Sequence, residues 1–410
     1  MSVNMCGYVL VRATEAQDLI ATEREWVEWG QPLLTKEQFI MREQDVLGTT
    51  DFSKQRRQRW VLVPADDTTT LDFLCACETY RRPILLKLRA QDHVQSAMAY
   101  SICSVFVPPA KRRNGYAQKM MSLMQHQLNP RPKIPQLRAT KLDQDLVQVF
   151  QPHEADRHRA DATCSFLYSD VGEYYSKFGW QVVGNRHVEW KPLSKDEAYA
   201  PPAQRARWLS ADQLKELGRI DRQYLLSQLE QRSDTHIRFC IDDPDATSWR
   251  WLIQRSQFYA TTLLPASAPK PSYFGLILPS PTAEDSQPSY AVWMFDFVAH
   301  KLAVLRLRFT SAAAFEQLLG ALRHQAAQFG MHKCVAWNVD LASLGVELNA
   351  QDHAQLERGE SVERFHDELR GGAVVERSGN GASLPALSWY ADRKPGDKLE
   401  WVCNEYGWWC

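Results

Sequence analysis

The sequence predicts an α/β (α+β) protein with a second α/β domain after the first. Three observations carry that prediction. Helix-capping boxes near the amino end give way to β-like runs, which then alternate with helical spacing along the rest of the chain. The 410 residues exceed what one hydrophobic core commonly serves. A charged stretch at 191–202, with Pro192, Pro201 and Pro202, reads as a linker, so the division falls between 1–195 and 203–410.

The elements follow in order. Thr14 and Gln17, three apart, form a capping box, and Leu19, Ile20, Trp26 and Val27 recur behind it at helical spacing. Thr35 and Gln38 repeat the signal, with Gly48 as the stop. β-like runs come next at 60–63, 71–80, 84–88 and 97–107, the last closed by Pro108 and Pro109. Tyr116, Met120, Leu123 and Met124 then mark one face of a helix that runs to about 128. The polar stretch 129–162 is too long for a tight connection and reads as an insertion. Beyond it, a short apolar run at 166–168 leads into a helix through Tyr175 that stops at Gly179, and 181–183 begin another strand. In the second half, helical spacing at 214–229 and 315–329 is interleaved with β-like runs at 273–278, 290–297, 302–309 and 334–339.

Composition narrows the function classes. With 48 basic against 49 acidic residues, the whole-molecule field does not steer the chain toward nucleic acid or an anionic membrane. No apolar run reaches the roughly 20 residues of a membrane span, and the first residues lack the pattern of a signal peptide. A cytoplasmic protein with a small-molecule partner, no nucleic acid and no membrane, is the expectation. Nine scattered cysteines, without paired metal spacing, read as reduced and mostly buried thiols.

One segment carries chemistry. Val105, Phe106 and Val107 end a strand, and after the prolines come Lys111, Arg112, Arg113, Asn114, Gly115, Tyr116 and Ala117, which open a helix. The pattern is Arg-x-x-Gly-x-Ala between strand and helix. Gly115 lets backbone approach a ligand, and the small Ala117 keeps the helix start close to it. Unpaired N–H groups at a helix start, with the positive end of the dipole behind them, suit an anion such as a pyrophosphate. Neither the dinucleotide fingerprint nor the P-loop is present.

This pattern resembles the phosphate loop of the GNAT superfamily of acetyl-CoA-dependent N-acetyltransferases. A second stretch agrees: Phe166, Leu167 and Tyr168, then Tyr174, Tyr175, Gly179 and Trp180, look like the strand and tyrosine signature of that superfamily, in the correct order. Wording around Cys77-Glu78-Thr79, Ser104 to Pro109 and Leu167 to Asp170, with the aromatic carboxy end, is similar more narrowly to fungal lysine acetyltransferases of lysine catabolism. The resemblance implies a central mixed, splayed sheet flanked by helices, with pantetheine in the gap between the strands that end near Val107 and Tyr168. It implies acetyl-CoA as acyl donor, no metal, and direct attack by an amine, with the ε-amine of free L-lysine as the preferred acceptor. It also assigns Tyr175 as the general acid for the departing sulfur, a task that suits a phenol protonated at neutral pH. Successive helical residues point about 100° apart, so only one of Tyr174 and Tyr175 is expected to face the fork. A polyamine, amino sugar or xenobiotic acceptor, or a CoA-binding module without catalysis, are the alternatives.

The base stays open among Glu78, Glu173, Asp170 and the pair Glu25 and Glu28, with Glu78 preferred. Arg56, Arg57 and Arg59 read as a solvated strand edge rather than a carboxylate site. His153, Glu154, Asp156, His158 and Asp161 crowd one polar stretch without zinc spacing. The aromatic residues from Trp389 to Trp409 read as packing of the second domain, or as the lining of a cleft shared with the first. That domain, for which a degenerate copy of the first fold is one reading, lacks a second phosphate loop and is expected to shape the acceptor pocket.

Overall fold

The computed structural model describes residues 7–130, 161–202, 205–230, 236–279 and 287–410. Both amino-terminal capping boxes form. Thr14 and Gln17 cap helix α1 (Glu15–Trp29), and Thr35 and Gln38 cap α2 (Lys36–Met41), each with reciprocal side-chain bonds. A π-helical turn (Arg42–Leu47) continues α2 up to Gly48, and α3 spans Asp51–Arg56.

The first sheet is built on β1 (Tyr8–Arg12), β2 (Arg57–Pro64), β3 (Cys75–Lys87), β4 (Gln95–Phe106), β5 (Cys164–Val171) and β6 (Gln181–Val182). β3 is one continuous strand where the sequence suggests two, because Pro83 interrupts the pattern. Pro83 sits between the last pair with β2, Arg57–Tyr80, and the first pair with β9 (His236–Ile241), Ile84–Ile241. A missing N–H is tolerated at that hand-over.

Residues alternate across this sheet as the pleat requires. Tyr100, Ile102 and Leu167 face α4 (Tyr116–Leu128), whose Met120, Leu123 and Met124 are buried against them. Ala99 and Phe166 face the opposite core. Each fully buried Met or Leu here is worth roughly 1.5–3 kcal/mol.

A second sheet takes the order β14-β7-β13-β12-β11-β10-β8. It consists of β7 (Arg186–Trp190), β8 (Arg207–Leu209), β10 (Gly275–Leu278), β11 (Ser289–Asp296), β12 (Lys301–Arg308), β13 (Lys333–Trp337) and β14 (Ala373–Glu376). The parallel pair β12 and β13 is joined by the helix Ala312–Gln328.

The chain crosses the expected boundary at 191–202 in both directions. β9, β15 (Asn380–Trp389) and β16 (Lys398–Trp401) join the first sheet, while β7 lies in the second. Pairings this distant in sequence leave no local periodicity to read.

Candidate active site

β4 and β5 run parallel only through Ala99–Ile102 and Cys164–Leu167. Beyond Ile102 and Leu167 they part, so β4 continues to Phe106 with that edge unpaired among the described residues. A bulge marks the fork: Ser104 has φ +52°, and the register with β3 slips by one residue between Ala76 and Glu78. β15 covers the other edge of β5, holding it away from β4.

Past the fork the chain turns into α4. Gly115 is its N-cap with φ +81°, a left-handed conformation that favours glycine, and no side chain caps the helix. The first N–H groups of α4 are thus available to an anion. Asn114 does not line the cleft; its amide donates to the carbonyls of Lys111 and Arg112 at 3.1 and 3.3 Å and shapes the turn. Arg112 donates to Glu28 at 2.8 Å and Lys111 to Asp72 at 2.5 Å, while Arg113 is exposed. Uncapped N–H groups among three cations fit a pyrophosphate.

A cleft of about 900 Å³ runs from this loop along the fork and into the second half of the chain. Val105, Phe106, Val107, Arg112, Arg113, Gly115, Tyr116 and Ala117 line one end. Tyr174 and Tyr175 both line it, contrary to the expectation that only one faces the fork. The expected helix is a single 3₁₀ turn, Tyr174–Phe178, and the two rings meet edge to face at 5.2 Å on the cleft wall. The Tyr175 hydroxyl has no hydrogen-bond partner among the described residues. Burial, then the neighbouring Cys75, pushes its pKa up, which keeps the phenol protonated.

Glu78 sits deeper, in a charge network the sequence reading placed on a solvated edge. Arg59 is buried, not solvated: β2 and α1 enclose it, and it reaches Asp18 at 2.9 Å, Glu78 at 2.8 Å and both oxygens of Glu25. Arg57 adds bonds to Glu78 and Asp18, and Arg56 pairs with Asp243 at 3.3 Å. The other oxygen of Glu78 accepts from Tyr80 at 3.2 Å and from the Cys103 thiol at 3.7 Å. Burial would raise Glu78, but Arg57 and Arg59 outweigh it and hold the carboxyl below its ordinary value. Glu25 moves the other way, up to about 8, because burial and the charge of Glu78 exceed what Arg59 returns. The two carboxylates around Arg59 therefore titrate as a coupled pair.

The other base candidates divide. Asp170 lines the cleft but accepts from the Ser383 backbone and hydroxyl at 3.0 and 2.9 Å. Glu28 lines it and holds Arg112. Glu173 is exposed and outside the lining. Of the polar stretch, Asp161 serves Arg81 and Tyr100, and His153, Glu154, Asp156 and His158 lie outside the described residues.

The far end of the cleft was not foreseen in detail. Trp251, Arg255 and Tyr259 stand four apart on one face of the helix Thr247–Leu263 and meet Trp409, Cys410, Tyr80 and Arg42. Their i, i+4, i+8 spacing was visible, but it equally describes a core face. Cys410 lies beside Cys103, and that neighbour, against burial and with help from Arg82, brings its thiol down to about 6.

A family model described as the LYC1 GNAT-like C-terminal domain matches residues 187–410. The chain belongs to that LYC1 GNAT-like family. It is a GNAT-type N-acetyltransferase. A curated lysine acetyltransferase of Yarrowia lipolytica is 24% identical over 420 residues, covering 94% of this chain and 95% of its own. Among solved structures, a probable N-acyltransferase from Enterococcus faecalis aligns over 93% of this chain and 73% of its own, with 11% identity and a TM-score of 0.48. A GCN5-related N-acetyltransferase from Anabaena variabilis aligns over 94% and 73%, with 13% identity and a TM-score of 0.46. Among the described residues, no helix of this acetyltransferase is long and apolar enough to cross a membrane.

Proposed function

We propose that this acetyltransferase takes its acetyl group from acetyl-CoA and delivers it to the ε-amine of free L-lysine. The observation that carries the proposal is the continuity of the cleft, from the uncapped start of α4, past the free hydroxyl of Tyr175, to Glu78. The name of the Yarrowia relative supports lysine as acceptor.

In this reading Arg112, Arg113 and the N–H groups behind Gly115 hold the pyrophosphate, and Asn114 holds the turn. Val105, Phe106 and Val107 offer their free edge to the pantetheine amides. Glu78 receives the lysine ammonium, and the Glu78–Glu25 pair takes its proton. The neutral amine attacks the thioester carbonyl, N–H groups at the fork stabilise the oxyanion, and Tyr175 protonates the departing sulfur. Residues from the 203–410 half, Trp251, Tyr259 and Trp409, shape the acceptor end, and the 1–195 half carries the donor site. Cytoplasmic lysine catabolism in a fungus is the setting this reading implies.

The test is CoA release by the purified full chain with acetyl-CoA and a panel of amines, with mass spectrometry of the product. Lysine-dependent release yielding Nε-acetyllysine is the expected result. Turnover of a polyamine, amino sugar or xenobiotic but not of lysine overturns the substrate assignment, and acetyl-CoA binding without turnover on any amine overturns catalysis.

A further inference from the structure

The cleft holds several arginines, and their pairing separates them. Arg42 donates to Glu43 at 2.7 Å and also reaches the Tyr259 hydroxyl. Arg112 is bound to Glu28, and Arg59 behind the cleft wall is shared among Asp18, Glu25 and Glu78. Arg113, in the loop before Gly115, makes no hydrogen bond or ion pair among the described residues. At the acceptor end, Arg255 makes no hydrogen bond and no ion pair within 4 Å among the described residues.

Arg255 is nevertheless fixed in place. Its guanidinium carbon lies 5.3 Å from the ring centroids of both Tyr259 and Trp409. Stacking of this kind restrains the plane of the group but consumes none of its five N–H donors. Burial opposes its charged form, but Tyr259, and then Asp296, Tyr406 and Glu43 acting through space, outweigh that and keep it charged. A half-buried guanidinium with unused donors can accept an anion of matching geometry, and a carboxylate matches it in bidentate fashion. Phosphate from the donor is the other anion at hand, but Arg112 of its loop stacks over Phe106, whereas Arg255 stacks over Tyr259 and Trp409.

We propose that Arg255 binds the carboxylate of the acceptor, so that the enzyme selects a free amino acid over an amine without that carboxylate. This deepens the lysine reading above and rests on it. Helix Thr247–Leu263 then contributes substrate specificity from the second half of the chain, through one face presenting Trp251, Arg255 and Tyr259 together.

The test compares wild type, Arg255→Gln and Arg255→Lys, as full chains, with L-lysine and with 1,5-diaminopentane, which is lysine without its carboxylate. Removing one partner of a desolvated charge pair predicts a KM for lysine raised on the order of 100-fold in Arg255→Gln, with kcat nearly kept. Turnover of the diamine stays at the wild-type level. Arg255→Lys, which keeps the charge but loses the fork, falls between and carries the test if the glutamine variant does not fold; acetyl-CoA affinity reports folding of each. An unchanged lysine KM, or an equal loss with both acceptors, overturns the assignment while leaving lysine acetylation intact. Wild type inactive on lysine but active on another amine overturns the underlying reading as well.

Discussion

Tyr175→Phe isolates one oxygen atom. That hydroxyl has no hydrogen-bond partner among the described residues, and the ring packs in the cluster around Met120 and Met124. Removing it therefore leaves no buried group unsatisfied and keeps the apolar contacts, so stability changes by less than about 0.5 kcal/mol. The chemical loss is much larger. A positioned general acid contributes roughly 10²–10⁴-fold, or about 2.7–5.4 kcal/mol at 1.36 kcal/mol per decade. The assay is steady-state CoA release with lysine, beside acetyl-CoA binding by calorimetry. The expected pattern is kcat down at least 100-fold, with acetyl-CoA affinity within threefold and an unchanged urea midpoint. A variant keeping more than a third of wild-type kcat refutes Tyr175 as the acid, and Tyr174, on the same cleft wall, becomes the next candidate.

Three further perturbations follow from the same geometry. Gly115→Val forces a β-branched residue to φ +81°, at about 1–2 kcal/mol of strain, and crowds the uncapped N–H groups, so acetyl-CoA affinity falls at least roughly tenfold by calorimetry; unchanged affinity contradicts the phosphate loop. In wild type, kcat rises with pH through about 8 as the Glu25–Glu78 pair loses its second proton, and Glu25→Gln flattens that limb; a limb that persists assigns it elsewhere. Stability gives the matching sign: the Glu25 pKa is raised from 4.5, so its contribution is complete below about 4.5 and shrinks as pH rises to 8. Glu25→Gln thus gains on wild type between pH 5 and 9, read from urea midpoints at each pH. Arg59→Met leaves Glu25 and Glu78 buried without their shared cation, and a loss of about 3–5 kcal/mol in unfolding free energy is expected; a neutral result contradicts the network.

The strand, turn and helix proposed to hold the donor were legible in the sequence because they are local. Strand, turn and helix lie within residues 95–128, and Gly115 with the small Ala117 two places on marks the turn before any contact is known. Capping boxes at Thr14 and Thr35 are local for the same reason. The other end of the cleft was legible only in part, through Glu78 and the aromatic carboxy end. Arg59 looks like one of three surface cations until β2 pairs with β3 and α1 folds over it, which turns it inward toward Glu25 and Glu78. Trp251, Arg255 and Tyr259 reach the cleft only because β9 joins the edge of β3 and carries the following helix with it. Cys410 meets Cys103 across a separation in sequence that no periodicity spans. Tyr174 and Tyr175 share the cleft because a glycine-terminated 3₁₀ turn replaced the expected helix.

Initial rates measured at varied lysine and several fixed acetyl-CoA concentrations test the central claim most directly, namely that donor and acceptor meet in one cleft and react without an acyl-enzyme. Double-reciprocal lines that intersect, with loss of both substrates' binding when the cleft is blocked, are the predicted result. Parallel lines, the pattern of a covalent intermediate such as an acetylated Cys103 or Cys410, would contradict it.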